Sequence, residues 1–241
     1  MASDVRELTA AERATRPDIL RMGGARLVPM AEGGQVVYRR EPPRAPRLCD
    51  GGTVVCLGCG PSLSRADVAY CRERATVIAV NDAYRLAPWA DALMASDSAW
   101  WAHHRGVPEF VGLKVSLEKH AACWGVTVLE NTGHDGIELA PTGLRDGRNS
   151  GYAAVNLAVH LGAKTIVLLG YDMDAPDGEA RSHWFGAHPS PLRGGSPYAL
   201  FREHFATCIE PLEQLGVRLV NASRWSALTC VPRQPLEGAL P

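Results

Sequence analysis

The chain has almost no net charge. Its 25 Lys and Arg nearly balance 26 Asp and Glu, so no global field draws it to a polyanion, and only a local basic patch would serve nucleic-acid binding. It has no apolar run near the roughly 20 residues that span a bilayer. Its first residues, "MASDVRELTAAERATRPD", are polar and include acids, unlike a secretory leader. No repeat and no low-complexity tract is present. The two best-known phosphate loops are also missing, because its Gly-rich turn is not G-x-G-x-x-G and no Gly-Lys-Ser/Thr follows it. Cysteine is plentiful but lacks pattern. The seven cysteines, an odd number, sit mostly in apolar surroundings, which suits the reduced thiols of a cytoplasmic protein. Cys56 and Cys59 spell C-x-x-C, yet Cys56 falls inside an apolar strand run and no second pair completes a zinc site.

What is there reads as one α/β domain. The 241 residues, 46% hydrophobic and 21% charged, suffice for a sizeable core. Residues 1–47 read as an appendage. "LTAAERA" suggests a short helix, "ARLVPM" and "GQVVYRR" flank "AEGG" like hairpin arms, and "REPPRAPR" is a stiff linker. Its plainest role is an added edge or a contact within a homo-oligomer, and the alternative is a substrate lid. Residues 48–241 form the main domain. There, apolar strands ("TVVCLG", "TVIAVN", "DALMAS", "LKVSL", "VTVLE", "KTIVLLG", "VRLVNAS") alternate with helical stretches. Among the helical stretches are "SRADVAYCRE", "SAWWAHH", "SGYAAVNLAVHLGA" closed by Gly162, and one long helix "SPYALFREHFATCIEPLEQLG" bent at Pro211. Strands apolar at nearly every position predict a Rossmann-like, mostly parallel sheet with helices on both faces.

In such a sheet ligands gather beyond the carboxyl ends of the strands. The first strand ends in Gly58-Cys59-Gly60-Pro61-Ser62. The glycines allow a tight turn and leave space for a ligand, Pro61 suits a helix start, and Ser62 or Ser64 is the cap. The helix start then offers free N–H groups to a phosphate. The other strands end at Asn81-Asp82, Ser96-Asp97, Gly170-Tyr171-Asp172 and Asn221-Ala222-Ser223, which a parallel sheet places on one rim. An Asn there reads a base or a sugar hydroxyl; the plain alternative is that Asn and Asp only cap helices. "GRNSGYAAVNLAV" forms a second anion site, with Asn149 or Ser150 as cap, Gly151 for close approach and Arg148 for charge.

The segment 171–195 has little regular pattern, and a loop of that length is usually functional or disordered. It holds His183, Trp184 and His188. A neutral histidine beside an apolar ring accepts a proton from a hydroxyl near pH 7. Asp172 and Asp174 spell D-x-D, a pattern common in metal-dependent sugar transferases.

Taken in order, "GCGPSL", "VIAVN", "NSGYAAVNLAVHLGAKTIVLLGYDM", "SHWFGAH" and "NASRWSAL" resemble the bacterial sialyltransferases of glycosyltransferase family 42 and related phage and bacterial proteins. The resemblance spans about residues 53–228. It implies a nucleotide-phosphate loop at Gly58, Gly60, Pro61 and Ser62, a nucleoside contact at Asn81, and a donor seat at Ser150 and Gly151. It also implies a general base at His188, with His183 as the other candidate, and catalysis without a metal. Cys59 stands where the family has Asn, and Asn149 where it has Thr. The family's two phosphate-holding tyrosines have no match after Gly170. The donor therefore extends beyond CMP-sialic acid to other CMP- or UDP-linked sugars. It is a co-substrate, and no tightly bound cofactor or metal is expected.

The expected function is a glycosyltransferase. Its acceptor is a glycan, a small molecule, or a hydroxymethylated base in phage DNA, the last served by Arg145, Arg148, Arg193, Arg202, Arg224 and Arg233. The rivals are an ATP- and Mg²⁺-dependent pyrophosphokinase like the 6-hydroxymethylpterin diphosphokinases, with Asp172 and Asp174 on the metal, and a non-catalytic nucleotide-binding module. Asp82, Asp97 and Asp172 complete the set of binding candidates.

Overall fold

A computed structural model describes residues 26–32, 35–175, 182–189, 192 and 195–240. The helix expected in "LTAAERA" and the residue Arg193 lie outside these. Strands β1 (Arg26–Glu32) and β2 (Gln35–Glu41) pair antiparallel with Arg26 opposite Glu41, as the hairpin reading requires. The Pro- and Arg-rich stretch that follows is strapped to the main domain. The N–H groups of Leu48 and Cys49 both donate to the Leu161 carbonyl, and Ala45 N–H donates to that of Pro141.

The main sheet begins with β3 (Thr53–Leu57), β4 (Thr76–Val80), β5 (Ala92–Met94), β6 (Leu113–Ser116) and β7 (Thr127–Val128). A separate two-residue parallel pair follows, β8 (Glu130–Asn131) and β9 (Gly143–Leu144). The chain then returns to the main sheet as β10 (Thr165–Leu169) and β11 (Arg218–Asn221). The seven strands are all parallel, in the order β11-β10-β3-β4-β5-β6-β7. The fold is therefore a Rossmann-like α/β sheet. Strand order reverses at β3, which has β4 on one side and β10 on the other, so a crevice opens beyond their carboxyl ends.

Helices α1 (Arg65–Cys71), α2 (Ser98–His103), α3 (Ser150–Leu161), α4 (Tyr198–Ala206), α5 (Ile209–Gln214) and α6 (Leu236–Ala239) accompany the sheet. The strands are apolar throughout because both faces are covered. Val54, Cys56, Ile78, Met94, Ile166 and Leu168 belong to the core that includes α3. Their neighbours Val55, Leu57, Val77, Leu93, Val167 and Leu169 belong to the core with Trp100 and Trp101 of α2. Among the described residues no helix is long and apolar enough to cross a membrane.

The long helix expected over 196–216 is instead two. The break falls at Thr207-Cys208 rather than at Pro211. A proline ring clashes with the carbonyl four residues earlier, here Thr207, so the helix must restart after that residue. Pro211 then sits in the first turn of α5, where no N–H is missed.

Of the two cap readings for α3, Asn149 is the cap. Its Oδ1 accepts from Tyr152 N–H at 2.9 Å, and Gly162 closes the helix with φ +103°. Asn149→Ala removes that acceptor and is expected to cost about 1 kcal/mol, read as a fall in the urea midpoint with an unchanged m-value.

Candidate functional site

The crevice at the reversal point is a cavity of about 280 Å³. It is walled by the residues following β3, β4, β5 and β10, by the start of α3, by the histidine loop and by α4. Of the residues singled out from the sequence, Gly58, Cys59, Gly60, Asn81, Asp97, Asn149, Ser150, Gly151, Asp172, His183 and His188 line it. Pro61, Ser62 and Asp82 do not.

The Gly58–Ser62 turn differs from a phosphate cradle. A Cβ on Gly58 would lie 2.5 Å from the Gly170 carbonyl oxygen, and one on Gly60 would lie 2.5 Å from the Asp172 carboxyl. Both glycines are thus demanded by the close approach of two strand ends, not by space left for a ligand. The Ser62 N–H donates to Asp172 Oδ2 at 2.7 Å, and its hydroxyl donates to Oδ1. A carboxylate of the protein itself fills the seat expected for an anion. Ser64, not Ser62, caps α1, accepting from Asp67 N–H at 3.1 Å. That helix start meets the guanidinium of Arg224, which bonds both oxygens of Asp67, in a second cleft of about 460 Å³. The phosphate site expected at the start of α1 is therefore replaced by internal bonds.

The start of α3 faces the cavity instead, through Arg148, Asn149, Ser150 and Gly151. The Ser150 hydroxyl accepts from Ser96 N–H at 3.0 Å and donates to Ser96 Oγ at 3.1 Å, so it fixes the end of β5 against α3. A Cβ on Gly151 would lie 2.9 Å from the Tyr171 ring, whose hydroxyl donates to the Gly151 carbonyl. The glycine lets the first turn of a twelve-residue helix sit on that ring, with its positive end toward the cavity.

Asn81 opens the turn after β4 with φ +47°, a left-handed conformation that Asn tolerates. Its Oδ1 is buried on the cavity wall without a hydrogen-bond partner among the described residues. Asp82, expected on the rim, is instead buried behind it. Its carboxylate accepts from Trp100 Nε1 at 2.9 Å and stands 3.6 Å from both Arg85 and His104. Asn221 is also a structural residue, with its Oδ1 accepting from Ser223 N–H while Ser223 Oγ accepts from Tyr171 N–H. The Cys59 thiol donates to the Val80 carbonyl, and burial pushes its pKa far up, which disfavours the thiolate.

The histidine loop folds over this rim. Trp184 N–H donates to the Cys59 carbonyl at 3.0 Å, and the Arg85 guanidinium lies over the Trp184 and Phe185 rings at 5.5 and 5.9 Å. His183 stacks on Phe185 at 5.0 Å, and the His183 and His188 rings are 4.4 Å apart. Burial, reinforced by His188, pushes His183 down to about 4. Burial also lowers His188, against the opposing pull of Asp82 and Asp97. Both rings are therefore neutral near pH 7 and able to accept a proton.

Tyr198 and Phe201 of α4 line the cavity too, and the sequence reading missed them. Their only signal was an aromatic pair in "SPYALF" directly after the loop. Of the charged groups lining the cavity, Asp97, Asp172 and Asp174 are acids, and Arg148 is the single guanidinium among the described residues. The D-x-D pair is not assembled as a pair. Asp172 is turned to Ser62, while exposed Asp174 accepts from Ala175 N–H. Among the described residues no three His, Cys, Asp or Glu groups gather as metal ligands. The arginines named for DNA contact are not gathered at one site, and Arg145 and Arg202 line neither cleft. Arg148 lines the first, Arg224 and Arg233 line the second, and Arg202 donates to the Met173 carbonyl.

Compared with known protein families, curated proteins and solved structures, the chain matches none.

Proposed function

We propose that the cavity binds a nucleotide-activated sugar and that the protein transfers this sugar to an acceptor hydroxyl. The observation that carries the reading is a pairing across one cavity. Two neutral histidines in edge contact line the same cavity as the positive end of a twelve-residue helix, at the point where strand order reverses. One side suits a proton acceptor and the other an anionic leaving group.

In the transfer, the acceptor O–H gives its proton to a histidine nitrogen as its oxygen bonds the anomeric carbon. The bond from that carbon to the phosphate oxygen breaks, and the phosphate leaves with the electron pair. Arg148 and the first-turn amides of α3 are the groups placed to stabilise it. The Gly58–Ser62 turn, already satisfied by Asp172, supports the wall and leaves the anion to α3. Asn81 Oδ1 is an acceptor waiting for a donor, such as a base amine or a sugar hydroxyl.

Thermal denaturation with CMP, UDP, GDP, ADP and ATP, each with and without Mg²⁺, tests the reading. A true ligand at 100 times its Kd adds about 2.7 kcal/mol, which is roughly 5–10 °C for a chain of this size. Stabilisation by CMP or UDP without Mg²⁺ is the expected outcome. Stabilisation by ATP with Mg²⁺ alone replaces the transferase reading with the pyrophosphokinase one.

A further inference from the structure

We infer that Asp146 is the positioning residue of Arg148, holding the backbone turn that carries the guanidinium to the cavity. The inference rests on the proposed role of Arg148 at the leaving phosphate. It adds to that role a carboxylate that does not itself line the cavity and that the rim pattern did not include.

The first observation is a backbone conformation. The chain enters α3 through Gly147 and Arg148, both left-handed, at φ +48° and +60°. Glycine adopts this conformation freely, whereas a residue with a Cβ is disfavoured there. Arg148 lines the cavity, so the direction in which its side chain leaves the backbone depends on the turn staying left-handed.

The second observation is what holds the turn. Asp146 Oδ1 accepts from the Arg148 N–H at 2.9 Å and stands 2.6 Å from His134 Nδ1. Its Oδ2 accepts from Asn131 Nδ2 at 2.8 Å. The backbone fastens the same turn, because Asp146 N–H donates to the Gly133 carbonyl at 3.0 Å and Gly147 N–H to that of His134 at 3.1 Å. Asn131 is the last residue of β8, so the short β8–β9 pair and the segment after it are the frame on which the turn is mounted. The Asp146 side chain is only 14% exposed, whereas Arg148 is exposed. The turn is thus anchored from inside the protein and presents its cation outward.

Two plainer roles do not account for Asp146. It is not the cap of α3, because Asn149 fills that place by accepting from Tyr152 N–H, and the carboxylate takes Arg148, His134 and Asn131 instead. Nor does its charge serve an anion, which a carboxylate repels. What it offers the phosphate is geometry. A guanidinium set in place beforehand stabilises the charge that develops on the leaving oxygen without having to be ordered during the step.

The test titrates inorganic pyrophosphate, CMP and UDP into each protein and follows the Ser150 and Gly151 amides by NMR. The proteins are the wild type, Asp146→Ala, Arg148→Ala, the double variant of these, and the exchange of Asn131→Asp with Asp146→Asn. The exchange keeps an oxygen for the Arg148 N–H and reverses the direction of the bond between positions 131 and 146, so it restores the turn while moving the charge. Asp146→Glu shifts the carboxylate by one methylene and serves in the same comparisons should Asp146→Ala not fold. The expected result is a dissociation constant raised about 2–5-fold in Asp146→Ala, the size of one exposed charge contact, and at least as much in Arg148→Ala. The double variant binds like Arg148→Ala, since two residues acting as one unit are not additive, and the exchange binds like the wild type. Removal of a negative charge by itself would tighten anion binding, so the sign separates positioning from charge. The inference is overturned by an Asp146→Ala that binds as tightly as the wild type, by a double variant weaker than Arg148→Ala, by an exchange no better than Asp146→Ala, or by a wild type that binds none of the three probes. The expected pattern in a protein that consumes no nucleotide sugar upholds the positioning role and removes only the transferase reading beneath it.

Discussion

His188→Ala is expected to lower kcat/KM for sugar transfer by about 10²–10⁴, or some 2.7–5.5 kcal/mol of transition-state stabilisation. The donor's thermal shift is expected to stay near the wild-type value. The ring comes from the histidine loop, a different element from Arg148 and the α3 amides that are proposed to take the phosphate. The pH profile gives a second check. A base must be neutral to work, and burial holds His188 below the ordinary imidazole value of 6.5. Activity therefore rises with pH through a limb centred below 6.5, then levels off, and the limb disappears in the alanine variant. His183→Ala separates the two histidines. His183 is pushed down to about 4, so its neutral ring gains little basicity and works as the surface that Phe185 and His188 pack on. Its loss is expected to raise KM and to lower kcat less than the loss of His188. Equal turnover in the wild type and the His188 variant would discard the base assignment.

Gly58→Ala is expected to destabilise the protein strongly. The new Cβ would meet the Gly170 carbonyl oxygen at 2.5 Å and the Tyr171 ring at 3.0 Å. Neither partner yields cheaply. Gly170 accepts from Gly60 N–H at 2.8 Å, and Tyr171 is buried, held by Ser223 and Ser226. Overpacking of this kind costs about 1–3 kcal/mol or more, a large share of a total near 5–15 kcal/mol. At 3 kcal/mol the melting temperature falls by about 6–12 °C. Gly125→Ala is the control. It has a left-handed φ of +71° but nothing within 4 Å of a Cβ, so it carries only the backbone penalty of roughly 1–2 kcal/mol. If Gly58→Ala melts no lower than Gly125→Ala, the interlock between the β3 and β10 ends is not tight, and Asp172 is free to leave Ser62 to a ligand.

The elements that could be read without a structure were those with a local cause. Strands β3, β4 and β10 are apolar on consecutive residues because each face meets its own core. Helix α3 begins at an Asn and ends at a glycine in the left-handed region, a pattern visible in the chain itself. The errors share a different origin. Pro211 was seen, but its clash acts four residues back, at Thr207, so the break was misplaced. The pair β8 and β9 is two residues long on each side, too short for any periodicity to mark it.

At the rim the division is sharper. The amino-acid order by itself determined that polar and small groups follow each strand, and a parallel sheet then had to bring them to one edge. It also determined that a histidine and aromatic loop lies between β10 and α4. Only the tertiary structure decided what each rim group does, because that depends on partners far away in sequence. Asp172 reaches back 110 residues to fill the Ser62 seat, and Glu118 takes the Ser98 amide 20 residues away. A side chain's chemistry is written in its residue type, but whether that chemistry is spent inside the protein or left for a ligand is settled by which other side chain reaches it first.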